Sequence, residues 1–134
     1  MTRGRISGGM AVAALMGAAL SAGAAEAHHS FAVFFNADHE VVTVTGQVEE
    51  FHFTNPHGII KIVAPGKGGP DQEWKAETNS PSIMVRRGWN KDVIKVGEVV
   101  TLQGWQARDG SNYIRLRNAM RADGKPIGTA PAAQ

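Results

Sequence analysis

The segment Val41–Phe53 has the sequence VVTVTGQVEEFHF, a long run rich in β-branched residues, and it predicts the first strand of a β domain. Successive side chains of a strand point to opposite faces. Three valines share one face and two phenylalanines fall on the other: Val42, Val44, Val48, Phe51 and Phe53. This change of face predicts a bulge or a sharp bend, for which Gly46 is the candidate.

Four more strands and one short helix are predicted downstream of this segment. The strands are expected at 59–64, 72–78, 99–106 and 112–118. The helix is expected over 80–88, because Ser80 suits its N-cap, Pro81 its first turn and Gly88 its end. Asp109-Gly110 predicts a hairpin turn before the last strand.

Five strands with a helix between the third and the fourth are the arrangement of the OB barrel. The sequence therefore predicts an all-β fold, a five-stranded OB-like β-barrel with a short helix between strands 3 and 4. A sandwich or a β-meander of similar size is the alternative. The domain is expected to span residues 28–128 with a flexible tail at 129–134, and the Gly/Pro/Ala-rich stretch from Arg121 on is expected to be loosely held.

The first 27 residues have the three parts of a secretory signal peptide. Arg3 and Arg5 supply the positive start, and an apolar stretch follows at 6–19. Ala25-Glu26-Ala27 is a small-x-small cleavage pattern. Because the apolar stretch is shorter than the ~20 residues that span a bilayer, we expect a periplasmic or secreted protein with no transmembrane anchor after cleavage. Cleavage after Ala25 rather than Ala27 is the alternative.

The composition fits one small domain without thiol chemistry. The chain has 134 residues, 43% hydrophobic and 19% charged, which favours a folded domain and excludes a two-domain enzyme. It contains no cysteine, which excludes disulfides, iron–sulfur clusters, thiolate–zinc sites and cysteine nucleophiles. Its formal net charge of +2 falls to +1 when Arg3, Arg5 and Glu26 leave with the signal peptide, which is too small to indicate a polyanion partner.

Histidine is the candidate metal ligand. The five histidines are His28, His29, His39, His52 and His57. After cleavage at Ala27, the free amine and Nδ1 of His28 would chelate one metal, a donor set that favours Cu(II), and a further imidazole would complete the site. Cleavage at Ala25 would instead place histidine third, where amine, two amides and imidazole hold Cu(II) in a square plane. The predicted cofactor is copper or zinc, with His28 and His29 as donors, His57 next and His52 fourth.

Each of these histidines also has an ordinary interpretation. His28 and His29 would be solvated residues at a chain end. His57 would be a turn residue after Asn55-Pro56, and His52 a surface residue of a strand. Only Met84 and Met120 lie beyond the signal peptide, which disfavours a Met-rich Cu(I) carrier.

A second candidate site lies on the last strand, where Tyr113, Arg115 and Arg117 alternate on one face. An aromatic and cationic strand face is typical of OB folds that bind nucleic acids or oligosaccharides. Because an exported protein seldom meets nucleic acid, the expected partner is a glycan or another envelope protein, and nucleic acid is not expected. This gives the alternative function, a metal-free binding module; an ordinary solvated strand face is the simplest interpretation.

Catalytic signatures are absent from the sequence. Gly66-Lys67-Gly68-Gly69 lacks the spacing of a P-loop, and no G-x-S-x-G or H-E-x-x-H pattern occurs. Glu49 and Glu50 are adjacent in a strand and so point to opposite faces, which excludes a facing acid–base pair. The sequence therefore favours a binding protein over an enzyme, and a small structural subunit of an envelope complex is a further alternative.

Five short motifs together resemble a family of small exported bacterial proteins catalogued as a domain of unknown function. They are His28-His29-Ser30-Phe31, Thr45-Gly46-Gln47-Val48, Asn55-Pro56-His57, Arg87-Gly88-Trp89 and Val96-Gly97-Glu98. The resemblance covers roughly residues 28–128. It implies a secreted, compact β domain, with the double histidine and the Asn-Pro-His turn as part of the family pattern, and it carries no established activity.

Overall fold

Alternating apolar residues build a closed barrel in the part of the chain that the structure describes, residues 32–129 of 134. The structure is a computed structural model. The unit that begins at Phe34 contains the strands and the helix of this barrel. They are β1 (Val42–His52), β2 (Ile59–Ala64), β3 (Gln72–Glu77), α1 (Pro81–Arg86), β4 (Val99–Gln106) and β5 (Tyr113–Arg121).

The strands close into a barrel in the order β1-β2-β3-β5-β4, with β4 paired to β1. Every strand pair is antiparallel except β3 with β5, which is parallel. Since α1 lies between the third and the fourth strands, the predicted OB-like barrel is confirmed, and the sandwich and meander alternatives are not.

The core follows from the two-residue period of the strands. In β2 the buried residues alternate with half-buried ones, so that Ile60 and Ile62 are both 0% exposed. Met84 of α1, Trp89 after it and Ile127 near the end of the described chain belong to the same buried cluster. The helix and the C-terminal segment therefore contribute to the barrel core. Burial of each large aliphatic side chain stabilises the fold by about 1.5–3 kcal/mol.

The predicted irregularity in β1 is present but not at Gly46. Val48 pairs with Ile62 and Glu50 with Lys61, which leaves Glu49 as the bulged residue. Gly46 serves a different purpose, because a Cβ at that position would lie 2.4 Å from the carbonyl oxygen of Val63. The strands approach each other so closely here that only glycine fits.

The helix ends as predicted but begins without the predicted cap. Gly88 has φ +82°, a left-handed conformation that favours glycine after a helix. Ser80 makes no side-chain capping hydrogen bond, and its hydroxyl bonds that of Ser82 instead. No helix within residues 32–129 has the length and apolar character needed to cross a membrane.

The stretch after Arg121 is exposed over residues 122–126 but is anchored after them, so the prediction of a loosely held segment is wrong at Ile127 and at the backbone of Thr129. Ile127 is 4% exposed and its N–H donates to the carbonyl of Ala119 at 2.8 Å. The N–H of Thr129 donates to the carbonyl of Arg87 at 2.9 Å. One buried isoleucine and two backbone hydrogen bonds therefore outweigh a composition typical of loops. Residues 130–134 of the predicted tail lie outside the described residues.

Candidate functional site

Glu77, the last residue of β3, is the centre of a polar cluster between β3 and β5. The two strands are parallel at this point, and their register places Glu77 directly opposite Arg115. Only 15% of the Glu77 side chain is exposed. A carboxylate removed from water to this extent needs charged or hydrogen-bonding partners. Glu77 has three of them: His57, Tyr113 and Arg115.

Arg115 fixes this carboxylate to the end of β3. Its Nη1 donates to Oε1 of Glu77 at 2.7 Å and to the carbonyl of Thr78 at 2.8 Å, and its Nη2 donates to Oδ1 of Asn79. Burial lowers the pKa of Arg115, while the charge of Glu77 opposes that shift. The guanidinium is thus engaged within the protein, and 13% of the side chain remains exposed.

Tyr113 holds the second oxygen of Glu77. Its hydroxyl donates to Oε2, and its ring packs on that of Phe35 with centroids 5.4 Å apart. Burial, with the hydrogen bond to Glu77 next in size, raises the pKa of Tyr113. Both carboxylate oxygens are therefore held by β5, and Glu77 has a fixed orientation.

His57 lies against the same carboxylate from the turn between β1 and β2. Its Nδ1 is 2.6 Å from Oε1 of Glu77, and 44% of its side chain is exposed. A carboxylate oxygen accepts a proton and does not donate one when ionised, so this contact favours the tautomer of His57 that carries its proton on Nδ1. In the neutral ring the lone pair then lies on Nε2.

His52 belongs to a separate and more exposed cluster. Its Nε2 lies 2.8 Å from Oε2 of Glu50, and Nζ of Lys61 lies 3.0 Å from the same oxygen. The hydrogen bond from His52, followed by that from Lys61, lowers the pKa of the Glu50 carboxyl. His52 is thus bonded to a different carboxylate from the one that contacts His57.

The structure therefore joins two sets of residues that the sequence analysis kept apart. His57, a predicted metal ligand, and Tyr113 and Arg115, predicted for partner binding, meet at Glu77. Arg117, the third member of the predicted partner face, instead packs over the ring of Trp105 at 4.4 Å. His28 and His29 lie outside the described residues. Within 32–129, no three His, Asp or Glu side chains are grouped so as to hold a metal ion.

Glu77 and Asn79 were not predicted as site residues. In the sequence, Glu77 is one of several charged residues at the end of an alternating strand. Its role depends on the parallel pairing of β3 with β5, which brings together residues 38 positions apart. The sequence indicated this pair only weakly, by a glutamate at the end of one predicted strand and an arginine on a later one.

The closed barrel is a small OB-type domain, in which His57 from the turn between β1 and β2 lies against the carboxylate at the end of β3. The chain belongs to the Family of unknown function (DUF6152), whose model matches residues 16–115. The match confirms the family resemblance that the five sequence motifs indicated. No curated protein matches the chain.

Two solved structures are similar to the barrel. One is a mitochondrial single-stranded DNA binding protein, Rim1, from S. cerevisiae, with 11% identity, 61% of this chain and 92% of that chain covered, and a TM-score of 0.47. The other is a small single-stranded DNA-binding protein from Streptomyces coelicolor, with 17% identity and a TM-score of 0.39. The alignment covers 62% of this chain and 92% of that chain. At these identities the similarity concerns the fold alone.

Proposed function

We propose that this protein is exported and binds Cu(II) or Zn(II), with His57 and the histidines that follow the signal peptide as ligands. The observation that carries the proposal is the contact of 2.6 Å between Nδ1 of His57 and Oε1 of Glu77. Histidine ligands of metals commonly have their other ring nitrogen held by a carboxylate, which fixes the tautomer and makes the ligand more basic.

The surroundings of Glu77 support this role. A carboxylate held by Arg115 and Tyr113 is rigid, so it restrains the imidazole ring that lies against it. Nε2 of His57 then offers its lone pair from a side chain that is 44% exposed. An accessible and oriented imidazole nitrogen is what a Cu(II) or Zn(II) site requires from one of its ligands.

The remaining ligands in this proposal come from the new amino terminus that signal cleavage creates. A terminal His28 supplies its amine and Nδ1, a chelate that favours Cu(II), and His29 supplies a further imidazole. With His57 these donors give a nitrogen-rich site without cysteine, of which the chain has none. The role that fits a small domain with no catalytic signature is metal capture or delivery in the periplasm.

The test is a titration of the processed protein with Cu(II) and with Zn(II), after intact mass has established its terminus. We expect one-to-one binding that His28→Ala abolishes and His57→Ala weakens, while His52→Ala, the matched control in the neighbouring cluster, leaves affinity unchanged. Glu77→Gln, which weakens the carboxylate behind His57, should lower affinity by about ten- to a hundredfold. Equal affinities for His57→Ala and His52→Ala would refute the role of His57. The negative control is protein with a methionine in front of His28, because the amine of His28 is then part of a peptide bond and cannot bind the metal.

The alternative is a metal-free OB-type module that binds a glycan or an envelope protein through Tyr113, Arg115 and Arg117. Arg117 is the observation in its favour, because its guanidinium lies over Trp105 and has no carboxylate partner within residues 32–129. Tyr113 and Arg115 bond Glu77, so the partner surface would depend on Arg117. A pull-down from envelope extracts separates the two functions, since Arg117→Gln should remove a partner that His28→Ala retains.

A further inference from the structure

Arg117 occupies a β-bulge next to a cavity. Gln103 of β4 pairs with Asn118, whereas the next residue, Gly104, pairs with Leu116. Arg117 is therefore the extra residue of β5, without a partner in the register. A bulge changes the direction of a side chain, and bulges are frequent beside functional sites. Here the Arg117 guanidinium lies over the ring of Trp105, and Arg117 is one of the residues that line the cavity.

The cavity lies between the segment 84–89, β5 and the C-terminal segment 126–129, and its volume is about 240 Å³. Beside polar residues such as Gln103 and Asn118, its lining includes two arginines and several apolar residues: Arg87, Arg117, Met84, Trp89, Leu116 and Ile127. Sites for drug-sized ligands have volumes of about 300–1,000 Å³. A cavity below this range suits a small ligand with a short apolar body.

The two arginines of the cavity carry positive charge that the described protein does not neutralise. The side chain of Arg87 donates to Sδ of Met84 at 4.0 Å, and neither Arg87 nor Arg117 has a carboxylate partner within the described range 32–129. Burial lowers the pKa of Arg87, and the charges of Arg117 and then Arg115 add to the shift. The charges of Arg117 and Arg115 thus act on Arg87, and of the three arginines only Arg115 has an ion pair with Glu77.

We propose that this cavity binds a small amphipathic oxyanion, a carboxylate or a phosphate ester on a short apolar body. A guanidinium presents a planar fork of N–H donors that matches the oxygens of carboxylate and phosphate. An anion at Arg87 and Arg117 would offset their mutual repulsion, and its apolar body would lie against Met84, Trp89 and Leu116. This site is independent of the proposed metal site, since none of its lining residues is a histidine.

The first arm of the test compares ligands on the unaltered protein. Hexanoate and hexyl phosphate carry the two oxyanions on the same body, hexanol carries the body without charge, and acetate carries the charge without the body. Heteronuclear NMR titrations should show saturable shifts at cavity residues with hexanoate or hexyl phosphate, with the tighter of the two identifying the head group. Binding of hexanol or acetate as tight as that of both hexyl anions would overturn the proposal, as would the absence of saturable binding.

The second arm assigns the binding to the two arginines. Arg87→Gln and Arg117→Gln should each weaken the hexyl anion by about tenfold or more, the effect of losing a charge-assisted hydrogen bond. Arg86→Gln is the matched control, because Arg86 is the exposed neighbour of Arg87 and is not part of the cavity lining. Affinity that falls equally in Arg86→Gln would show an effect of net charge alone and would overturn the site. If a variant fails to fold, the comparison of ligands on the unaltered protein decides the proposal.

Discussion

Two neighbouring arginines of β5, Arg115 and Arg117, have opposite surroundings. Arg115 is held by Glu77, Thr78 and Asn79, with 13% of its side chain exposed. Arg117, two residues later, is the bulged residue and has an aromatic ring rather than a carboxylate as its partner. A buried charge that is paired in this way positions its neighbours, whereas an unpaired guanidinium on a cavity wall is available to a ligand. This difference is the basis of the proposals that Arg115 supports His57 and that Arg117 binds a ligand.

Removal of Glu77 should have the largest effect on stability, because it leaves Arg115 without its counter-charge. We expect Glu77→Ala to lower the free energy of unfolding by about 2–3 kcal/mol, less than the roughly 3–5 kcal/mol of a fully buried pair. Urea denaturation followed by tryptophan fluorescence measures it. Glu73→Ala on the same strand is the control, since its ion pair with Lys75 is half exposed and contributes little. A loss no larger than that of the control would show that the Glu77 cluster does not support the fold.

Ionisation of Tyr113 should be displaced to higher pH in the folded protein. Burial and Glu77 raise its pKa above the value of about 10 in the unfolded chain. The resulting stability is present below pH ~10 and is lost as the pH rises further, because the unfolded chain ionises first. Tyr113 is the only tyrosine in the chain, so tyrosinate absorbance reports it alone.

The measurement is a spectroscopic pH titration of the protein with and without urea, beside Tyr113→Phe. The variant should lose less stability above pH ~10 than the parent protein. Identical midpoints for the folded and unfolded tyrosine would contradict the hydrogen bond to Glu77.

The cavity arginines should contribute little to stability, in contrast to Glu77. We expect Arg117→Gln to cost about 0.5–1 kcal/mol, the size of its cation–π contact with Trp105. Arg87→Gln should cost nothing or raise the melting temperature, because it relieves repulsion from two neighbouring guanidiniums. Differential scanning calorimetry at low salt compares the two variants with Arg86→Gln. A destabilisation of Arg87→Gln as large as that of Glu77→Ala would mean that Arg87 has a structural partner and would abolish the contrast.

The substitution of His52 is also expected to have little effect on stability. Its bond to Glu50 lies on the surface, where exposed ion pairs contribute little, so His52→Ala should leave the urea midpoint close to that of the parent protein at neutral pH. Thermal and urea unfolding of this variant should also serve as the reference for His57→Ala. A clear loss of stability in His52→Ala would contradict the small contribution expected of this exposed ion pair.

The strands and their order were largely predictable from local pattern. The predicted segments at 59–64 and 99–106 coincide with β2 and β4, since alternation of apolar residues depends only on neighbours in the sequence. The bulges were harder to place. Glu49 and Arg117 are bulged because of the registers with β2 and β4, and register depends on strands distant in the sequence.

The candidate site was predictable only in part, for the same physical reason. His57, Tyr113 and Arg115 were recognised from residue type and alternation, but Glu77, which joins them, becomes visible only through the parallel β3–β5 pairing. The C-terminal stretch has the composition of a loop, yet Ile127 completes the core. The cavity that this stretch helps to line therefore could not be predicted from the sequence.

The most direct test of the central claim is NMR of the imidazole nitrogens of the processed protein during titration with Zn(II). We predict that His57 binds the metal through Nε2 while its Nδ1 keeps the proton that faces Glu77, and that His52 shows no change. A His57 whose nitrogen shifts stay constant up to one equivalent of Zn(II), or one that binds through Nδ1, would contradict the account.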